Sequence, residues 1–388
     1  MANNIGGPQP PLQEHFQQDF FIENCVSKPQ NLIVLPPGCD ADIPENDDLY
    51  MNSIAVDVVK IQNPDKAYMR IREISAIDLS HHYQGWGILY FGVILPKVRG
   101  REGVFQMQSP NKAKRVAIKR LSKAIVNKYL NRGGHENPYK EIQRMRMYGD
   151  NHHVLGMYEA LHDERFLYII MPYCDGGNLV NWIFTEKRDH IHEKFGSFGA
   201  IYINILENIE YLHRNGICHR DLSPDNCMVL NDRIVFNDLA MSFRIPPSGI
   251  TARMGGFFGK PAYLPPEINS GFHYFEATVC DLWSSVVILF NLLTGEIAWE
   301  TSLPTDRNFR YLVMAGGLSR IPVNERTVEI LANEPVTSSI RSLAEKCMNL
   351  NPTVADLLDG VLKLDPNQRW KTNQVKNCLW LEAFRQLG

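Results

Sequence analysis

The pattern of apolar and polar positions divides the 388-residue chain into a strand-rich front part and a helical back part. In residues 54–79 and 85–119, β-branched and other apolar side chains alternate with polar ones, which is typical of strands that bury one face. Beyond Cys174 the apolar spacing becomes helical. The long helical segments span residues 195–215, 281–294 and 339–364. We therefore predict an α+β fold with a small β-rich lobe and a larger helical lobe.

The same pattern predicts three regions. An N-terminal extension covers residues 1–79, a β-rich N-lobe covers 80–173 and a helical C-lobe covers 174–388. Residues 1–12 are rich in Gly, Pro and Asn, and we expect this part of the extension to be disordered. The rest of the extension predicts no fold of its own, although the alternation after residue 54 favours strands that join the N-lobe.

The composition is that of a globular protein, with 44% hydrophobic and 21% charged residues. The 40 basic and 43 acidic side chains leave a formal charge of −3, which is too balanced for binding nucleic acid through bulk charge. In residues 97–128, however, ten Lys or Arg residues accompany a single acid, Glu102. We interpret this run as a solvated loop and an exposed helix face, so a nucleic acid is the least favoured partner.

The cysteines and the first residues bear on the cellular compartment. The eight cysteines include no C-x-x-C pair, which favours a reduced, intracellular protein. Residues 1–8 lack the basic and apolar stretches of a secretory signal, and Ala2 excludes myristoylation. Apolar runs such as 286–290 are far shorter than the ~20 residues that span a bilayer. We expect no membrane partner and a cytoplasmic location, with the nucleus as an alternative; the sequence does not indicate an oligomeric state.

The first candidate for chemistry is Lys119, which ends the apolar strand Val116-Ala117-Ile118. A buried ammonium group requires an anion or a carboxylate partner. Glu141, in the helical stretch 139–145, is a candidate for that carboxylate. This pair alone is a weak signal, because Lys–Glu pairs are common on protein surfaces.

A stronger signal is the sequence Cys-His-Arg-Asp-Leu-Ser-Pro-Asp-Asn at residues 218–226, followed by Asp238 twelve residues after Asn226. These residues resemble the catalytic loop and the metal-binding aspartate of the eukaryotic protein kinases. The resemblance extends from about residue 80 to the C-terminus. It also includes residues 116–119, Glu141, 259–267, 281–284, 364–366 and Arg369. It implies a two-lobed, protein-kinase-like fold that uses ATP and Mg²⁺ and acts on a protein substrate.

The resemblance implies a role for each polar group of the site. Asp221 would accept the proton of the substrate hydroxyl, while Asn226 and Asp238 would hold Mg²⁺ through oxygen ligands. Lys119, held by Glu141, would contact the α- and β-phosphates of ATP.

An adenine site is implied after the apolar strand 167–171. Met171 takes the gatekeeper position, and Pro172 would offer adenine only its carbonyl, because proline lacks an N–H. Cys174 would donate its backbone N–H to the purine. The remaining nucleotide-binding candidates are Ile94, Ala117, Met228 and Asn178.

The glycine-rich loop of the family is irregular in this chain. Residues 85–94 match it with Gly87 first and Gly92 third, which leaves Leu89 in place of a second glycine. A side chain there limits how closely backbone N–H groups approach a phosphate. In the sequence Asp238-Leu239-Ala240 the metal ligand is kept, and Leu239 can fill the apolar slot of the family's phenylalanine.

Two further departures occur together. Serine/threonine kinases usually carry a lysine two residues after the catalytic aspartate and a threonine near residue 260, where this chain has Ser223 and Lys260. We hypothesise that Lys260 reaches back to Asp221 and the γ-phosphate with Ser223 as its hydroxyl partner, so that both are candidate catalytic residues. The alternative is a Lys260 side chain that points into solvent.

Arg220 predicts control by a phosphate on the segment that follows Asp238, which corresponds to the activation segment of the family, because a buried guanidinium attracts such a group. The available hydroxyls are those of Ser242, Ser248 and Thr251.

Two functions compete. The first is a serine/threonine protein kinase that transfers the γ-phosphate of ATP to a protein hydroxyl, and residues 224–226 are closer to serine/threonine than to tyrosine kinases. The alternative is a pseudokinase that acts as a nucleotide-binding or scaffold module, as the altered glycine loop and Ala240 would allow. We favour the enzyme, because loss of catalysis most simply appears as loss of a charged group and none is missing.

Overall fold

The structure of the chain is a computed structural model. It describes residues 24–25, 33–35, 58–60, 66–77, 86–96, 99, 104–106, 108, 112–134, 136–149, 151–247, 249–252, 258–271, 274–317, 345–347 and 349–385.

Within the described residues, nine strands and two helices build the N-lobe. The strands are β1 Asn24–Cys25, β2 Ile33–Leu35, β3 Val58–Lys60, β4 Lys66–Ile77, β5 Gly87–Pro96, β6 Val104–Gln106, β7 Arg115–Ser122, β8 Glu159–His162 and β9 Phe166–Pro172. The helices are α1 Lys123–Leu130 and α2 Pro138–Tyr148. Seven of the strands form one sheet in the order β1-β8-β9-β7-β5-β4-β3, antiparallel except for β1 beside β8, and β2 pairs in parallel with β6.

Both faces of this sheet are apolar, because successive side chains of a strand point to opposite faces. Leu121 and Ile169 face α2 and pack with its Ile142. Val116 and Ile118 face the other way and are also fully buried, in a separate cluster with Leu161 and Ile170. Burial on two faces explains why residues 167–171 read as an unbroken apolar run.

The C-lobe is mainly helical. Its helices are α3 Leu179–Phe184, α4 Ile191–Phe195, α5 Phe198–Arg214, α6 Pro266–Asn269, α7 Ala277–Thr294, α8 Arg307–Ala315, α9 Pro352–Val361, α10 Thr372–Lys376 and α11 Leu379–Arg385, and 3₁₀ turns occur at Glu186–His190, Pro224–Asn226 and Pro366–Gln368. Short antiparallel ladders pair β10 Ile217–Cys218 with β13 Phe243–Arg244, β11 Cys227–Leu230 with β12 Arg233–Phe236, and β14 Ile250–Ala252 with β15 Tyr274–Glu276. The predicted α+β, protein-kinase-like arrangement is confirmed.

Helix α7 is the core of the C-lobe. Its 18 residues have a mean hydropathy of 1.6, so that length and composition alone would allow a membrane span. Within the fold, 83% of the helix is buried, against α5 and α9 among other elements. Gly295 ends it in the left-handed conformation, with φ 75°, and donates its N–H to the carbonyl of Asn291.

Strands β3 and β4 join the N-lobe sheet, as the alternation after residue 54 predicted: β4 pairs with β5 from Lys66 opposite Pro96 to Ile77 opposite Gly87. Within the predicted helix 339–364, residues 345–347 are helical, and α9 begins at Pro352 after its N-cap Asn351. Residues 339–344 and 348 of that prediction lie outside the described residues. The predicted disorder of residues 1–12 lies outside the described residues.

Candidate active site

Lys119 and Glu141 form a buried ion pair between the sheet and α2. Lys119 lies within β7, where its Nζ is 3.0 and 2.9 Å from the two carboxylate oxygens of Glu141. Asn137 accepts hydrogen bonds from Tyr139 N and Lys140 N and so fixes the start of α2. Burial raises the pKa of Glu141 to about 7, although the charge of Lys119 opposes this rise. The pair therefore orients Lys119 toward the C-lobe, where its Nζ lies 3.7 Å from Asp238 Oδ2.

The loop that carries Asp221 is held from behind by Asp281 of α7. Asp281 Oδ2 accepts the N–H of His219 at 2.9 Å, and Oδ1 accepts the N–H of Arg220 at 3.0 Å. His213 Nε2 lies 2.8 Å from the same Oδ2. Arg220 has a φ of 69°, an unfavourable value for a side-chain-bearing residue, so the loop needs these contacts to keep its shape.

Replacing Asp281 with asparagine is expected to lower the free energy of unfolding by about 2–4 kcal/mol. An asparagine side chain accepts through one oxygen only, so at least one buried donor loses its partner. Urea unfolding of both proteins measures the difference. The matched control is Asp365→Asn, which changes an exposed turn and should shift stability by less than about 1 kcal/mol. Equal stability of the Asp281 variant and the unaltered protein would contradict this account of the loop.

The catalytic loop brings three polar side chains close together: those of Asp221, Asn226 and Asp238. Asn226 Nδ2 donates to the carbonyl oxygen of Asp221 at 2.7 Å and to its Oδ2 at 3.0 Å. The other carboxylate oxygen, Oδ1, is buried and has no hydrogen-bond partner within the described part of the chain. Asp238 adopts a φ of 59° and accepts the N–H of Ala240 at its Oδ1, 3.3 Å away. One carboxylate oxygen of Asp221 is thus left to accept a proton or a hydrogen bond from a ligand.

Carboxyl groups outnumber cationic side chains around Asp221 and Asp238. Burial and the neighbouring Asp238 raise the pKa of Asp221. Burial alone would lower the pKa of Lys119, but Asp238, Glu141 and Glu136 together raise it well above its ordinary value. Crowded oxygen donors with too few cations are the environment that a hard divalent ion such as Mg²⁺ prefers, and Asp238 and Asn226 supply suitable ligand oxygens.

Glu136 is a residue of the site that the sequence analysis missed. Burial and the charge of Asp238 raise its pKa to about 8, and Lys119, Glu141 and Asp221 also act on it. It lies just before the N-cap of α2, and its backbone N–H is 3.5 Å from the hydroxyl of Tyr129. It lies three residues before the predicted helical stretch 139–145, and no motif in the sequence marks it.

The segment after Asp238 connects the catalytic groups to α2. Leu239 is fully buried in the C-lobe core, as the sequence suggested for the apolar slot. The carbonyl of Ala240 accepts the N–H of Asn137, the N-cap of α2, at 3.2 Å. The placement of Glu141 and the placement of Asp238 therefore depend on one another.

An apolar wall lies beside Lys119. Ala117, opposite Met171 in the β7–β9 ladder, packs in one cluster with Cys174 and with Met228 of β11. Leu89 joins the same cluster, because it is paired with Lys119 and paired residues share a face of the sheet. These side chains form one continuous apolar surface next to Lys119.

The structure corrects three nucleotide-site predictions. Gly87 begins β5 and Gly92 lies within it, opposite Val116, so neither occupies a turn. A Cβ on Gly87 would lie 2.3 Å from the carbonyl oxygen of Arg120, so close strand packing explains this glycine. Ile94 packs with the cluster on the opposite face of the sheet, away from Ala117. The error was one of register, because residues an odd number of positions apart in a strand face opposite ways.

Pro172 and Asn178 bracket the connection between the lobes. Pro172 is the last residue of β9, where a missing N–H is tolerated. The carbonyl of Cys174 accepts the N–H of Gly177 at 3.0 Å and closes a turn. Asn178 caps α3, and its side-chain oxygen accepts the N–H of Asn181 at 3.3 Å. The side chain of Asn178 thus serves the helix in this structure.

Lys260 reaches the catalytic loop. Its Nζ donates to Ser223 Oγ at 2.9 Å and to Asp225 Oδ2 at 2.7 Å. The amine does not point away into solvent, and the charge of Asp225 is compensated within the chain. The hydroxyl partner is the one that the sequence analysis named, while Asp225 is an additional partner.

The guanidinium group of Arg220 packs against two aromatic rings. Its guanidinium carbon lies 3.6 Å from the ring centre of Phe258 and 5.0 Å from that of Phe243. Of the three predicted phosphate acceptors, Ser242 is buried and donates its hydroxyl to the carbonyl of Leu239 at 2.5 Å. Ser248 and the side chain of Thr251 lie outside the described residues. Cation–π contacts hold the Arg220 guanidinium in this structure, and control by a phosphate on the activation segment stays a prediction.

The two lobes and the groups between them define the class of protein-kinase-like folds. Residues 99–381 match the family described as Protein kinase domain, and the chain belongs to this family.

Individual relatives are serine/threonine kinases. The chain is 28% identical over 274 residues to Serine/threonine-protein kinase stk11 of Xenopus laevis, a match that covers 69% of this chain and 54% of the relative. It is 27% identical over 276 residues to Serine/threonine protein kinase OSK3 of Oryza sativa subsp. japonica, covering 69% and 45%. The chain spans about half the length of the curated relatives it matches.

Proposed function

We propose that the chain is an active serine/threonine protein kinase that transfers the γ-phosphate of ATP to a protein hydroxyl. The observation that carries the proposal is the convergence of Lys119, Asp221, Asn226 and Asp238 between the lobes, with one buried oxygen of Asp221 unpartnered in the described structure. A pseudokinase that has lost turnover has no need to keep every one of these groups in place.

Each residue has a defined task in this proposal. Asp221 accepts the proton of the substrate hydroxyl through its unpartnered oxygen, and Asn226 holds its second oxygen in position. Lys119 contributes positive charge to the α- and β-phosphates and is itself oriented by Glu141. Asp238 and Asn226 would hold Mg²⁺, which neutralises the charge of the phosphates when it is bound.

The nucleotide base would lie along the apolar wall. Ala117 and Met228 would cover its two faces, Met171 would limit how deeply the base enters, and the connection between the lobes would supply the Pro172 carbonyl and the Cys174 N–H. A ribose contact from Asn178 would require its side chain to leave the α3 cap.

The basic run 97–128 gives nucleic-acid binding little support, because five of its eight described cations are engaged within the protein: Lys114 lies over Tyr158, Arg115 pairs with Asp175, Lys119 with Glu141, Arg120 stacks on Phe166, and Lys123 donates to Asp163. The other three, Arg99, Lys112 and Lys128, are exposed.

The experiment is incubation of purified protein with Mg²⁺, γ-labelled ATP and generic protein substrates, beside an Asp221→Asn control. We expect label on serine or threonine only with the unaltered protein. Nucleotide binding by both proteins without label transfer would instead identify a pseudokinase. Failure of both to bind nucleotide would remove the kinase and leave only the scaffold form of the alternative.

A further inference from the structure

The catalytic loop contains no cation of its own on the substrate side of Asp221. Between Asp221 and Asn226 the side chains are Leu222, Ser223, Pro224 and Asp225. Lys119 approaches from the opposite side and is already shared between Glu141 and Asp238. Transfer of a phosphoryl group places developing negative charge next to this loop, and such charge requires a preorganised positive partner.

The amine of Lys260 lies against the catalytic loop, at the residues that follow Asp221. It is held by Ser223 and Asp225, which flank the loop's Pro224. Its charge opposes the rise that burial causes in the pKa of Asp221, and it adds to the larger effect of Lys119 in lowering the pKa of Asp238. The side chain remains 43% exposed, so a ligand entering the cleft can reach it.

The backbone of residues 258–260 is fixed against the catalytic loop. Phe258 is 2% exposed and stacks on Arg220. Gly259 has a φ of 75°, and a Cβ there would lie 2.8 Å from the carbonyl oxygen of Arg220. The carbonyl of Lys260 accepts the N–H of Tyr263 at 2.9 Å. Contacts before and after Lys260 therefore hold in place the backbone that carries its amine.

We propose that Lys260 is the catalytic cation of the transferring γ-phosphate, and that its delivery from the activation segment makes catalysis depend directly on the docking of Phe258 and Gly259. This inference rests on the proposed kinase function. In the reaction, the substrate oxygen bonds to the γ-phosphorus and the bond from that phosphorus to the β–γ bridging oxygen breaks. The hydroxyl proton passes to Asp221, ADP leaves, and Lys260 remains protonated throughout.

The test compares Lys260→Met, which keeps the aliphatic stem and removes the charge, with Lys260→Arg, which keeps the charge. We expect kcat of the methionine variant to fall by about 10- to 100-fold, and the arginine variant to retain most of the activity. The melting temperature and the affinity for ATP, measured by calorimetry, should stay close to those of the unaltered protein. The matched control is Lys371→Met, which removes an ion pair of the same 2.7 Å length to Glu276 and should leave kcat unchanged.

A rescue variant separates charge from structure. Ser223→Lys combined with Lys260→Met returns an amine to the same place from the loop itself, and it should recover at least about tenfold of the lost rate, which a bracing role would not allow. Because Ser223 is fully buried, a melting curve must show that this double variant folds; otherwise the methionine and arginine variants decide alone.

The outcomes distinguish this inference from the proposed function. Wild-type kcat in the Lys260→Met variant would overturn the inference and leave the kinase function intact. Equal losses in the methionine and arginine variants, with lowered melting temperatures, would show a structural role and also overturn it. Absence of transfer by the unaltered protein would remove the kinase function on which the inference depends.

Discussion

Replacing Lys119 with methionine is expected to reduce kcat/KM for phosphate transfer from ATP by about 10²- to 10³-fold. The ammonium of Lys119 contacts Glu141 at 2.9 Å and lies 3.7 Å from Asp238, so it faces the place where the phosphates would bind. Methionine fills similar volume without charge, and the charge on the phosphates would lose a fixed partner. The measurement is a steady-state assay at several ATP concentrations, combined with calorimetry of nucleotide binding.

Stability should change less than activity in this variant. Glu141 is 1% exposed and already has a pKa raised to about 7 by burial, against the opposing charge of Lys119. Without Lys119 its pKa rises further, so the carboxyl takes up a proton near neutral pH and no uncompensated charge remains buried. We expect the free energy of unfolding to fall by less than the 3–5 kcal/mol typical of a broken buried pair.

A matched variant isolates the positioning role of the glutamate. Glu141→Gln keeps an oxygen that accepts from Lys119 but removes the negative charge, so its loss of kcat/KM should be smaller than that of Lys119→Met. Wild-type kcat/KM in the Lys119 variant would show that this lysine lies outside the reaction site. A larger loss for Glu141→Gln than for Lys119→Met would reverse the assigned roles.

The residues that sequence reasoning placed together are those connected by short, rigid segments. Asp221 and Asn226 lie five positions apart on one loop, and their hydrogen bond follows from that spacing. Lys119 and Glu141 lie 22 positions apart, yet a strand followed by a helix packed on it leaves few other arrangements. The proposed exchange of Ser223 and Lys260 predicted a contact over 37 positions, because a cation and a hydroxyl were each displaced to the other's usual place.

The features that were missed depend on register or on tertiary packing. Gly85, Gly87 and Gly92 allow more than one alignment with a glycine-rich loop, and only the ladder partners show that Gly87 and Gly92 belong to a strand. The same strand pairing excludes Ile94 from the nucleotide site, because its side chain points to the face of the sheet opposite that of Ala117. Glu136 enters the site because α2 packs on the sheet, and no local pattern reports that packing.

The aromatic clamp on Arg220 was missed for a related reason. The sequence shows an arginine before Asp221 but does not indicate which group contacts its guanidinium. Phe258 lies 38 positions later and reaches the guanidinium only after the activation segment folds back on the loop. A ring and a phosphate can both satisfy an arginine, so the residue type alone leaves the partner open.

Removing Arg369 is expected to produce the largest loss of stability, about 3–5 kcal/mol in the free energy of unfolding. Its guanidinium donates two parallel hydrogen bonds of 2.7 Å to the carboxylate of Glu267, and a third of 2.7 Å to the carbonyl of Lys363. The guanidinium carbon also lies 4.6 Å from the ring centre of Trp283 in α7. Both charged residues are buried, so removal of one leaves the other without compensation in a medium that solvates it poorly.

The measurement is urea unfolding of Arg369→Met, with the slope of the transition checked for constancy. The control is Lys371→Met, whose exposed partner Glu276 lies at the same 2.7 Å, and which should cost less than about 1 kcal/mol. The double variant Glu267→Leu, Arg369→Met should recover part of the loss, because it leaves no buried charge unpaired. A loss below about 1 kcal/mol in the single variant would mean that the C-lobe does not depend on this pair. Equal losses in the single and double variants would mean that packing around Trp283, and not charge, carries its contribution.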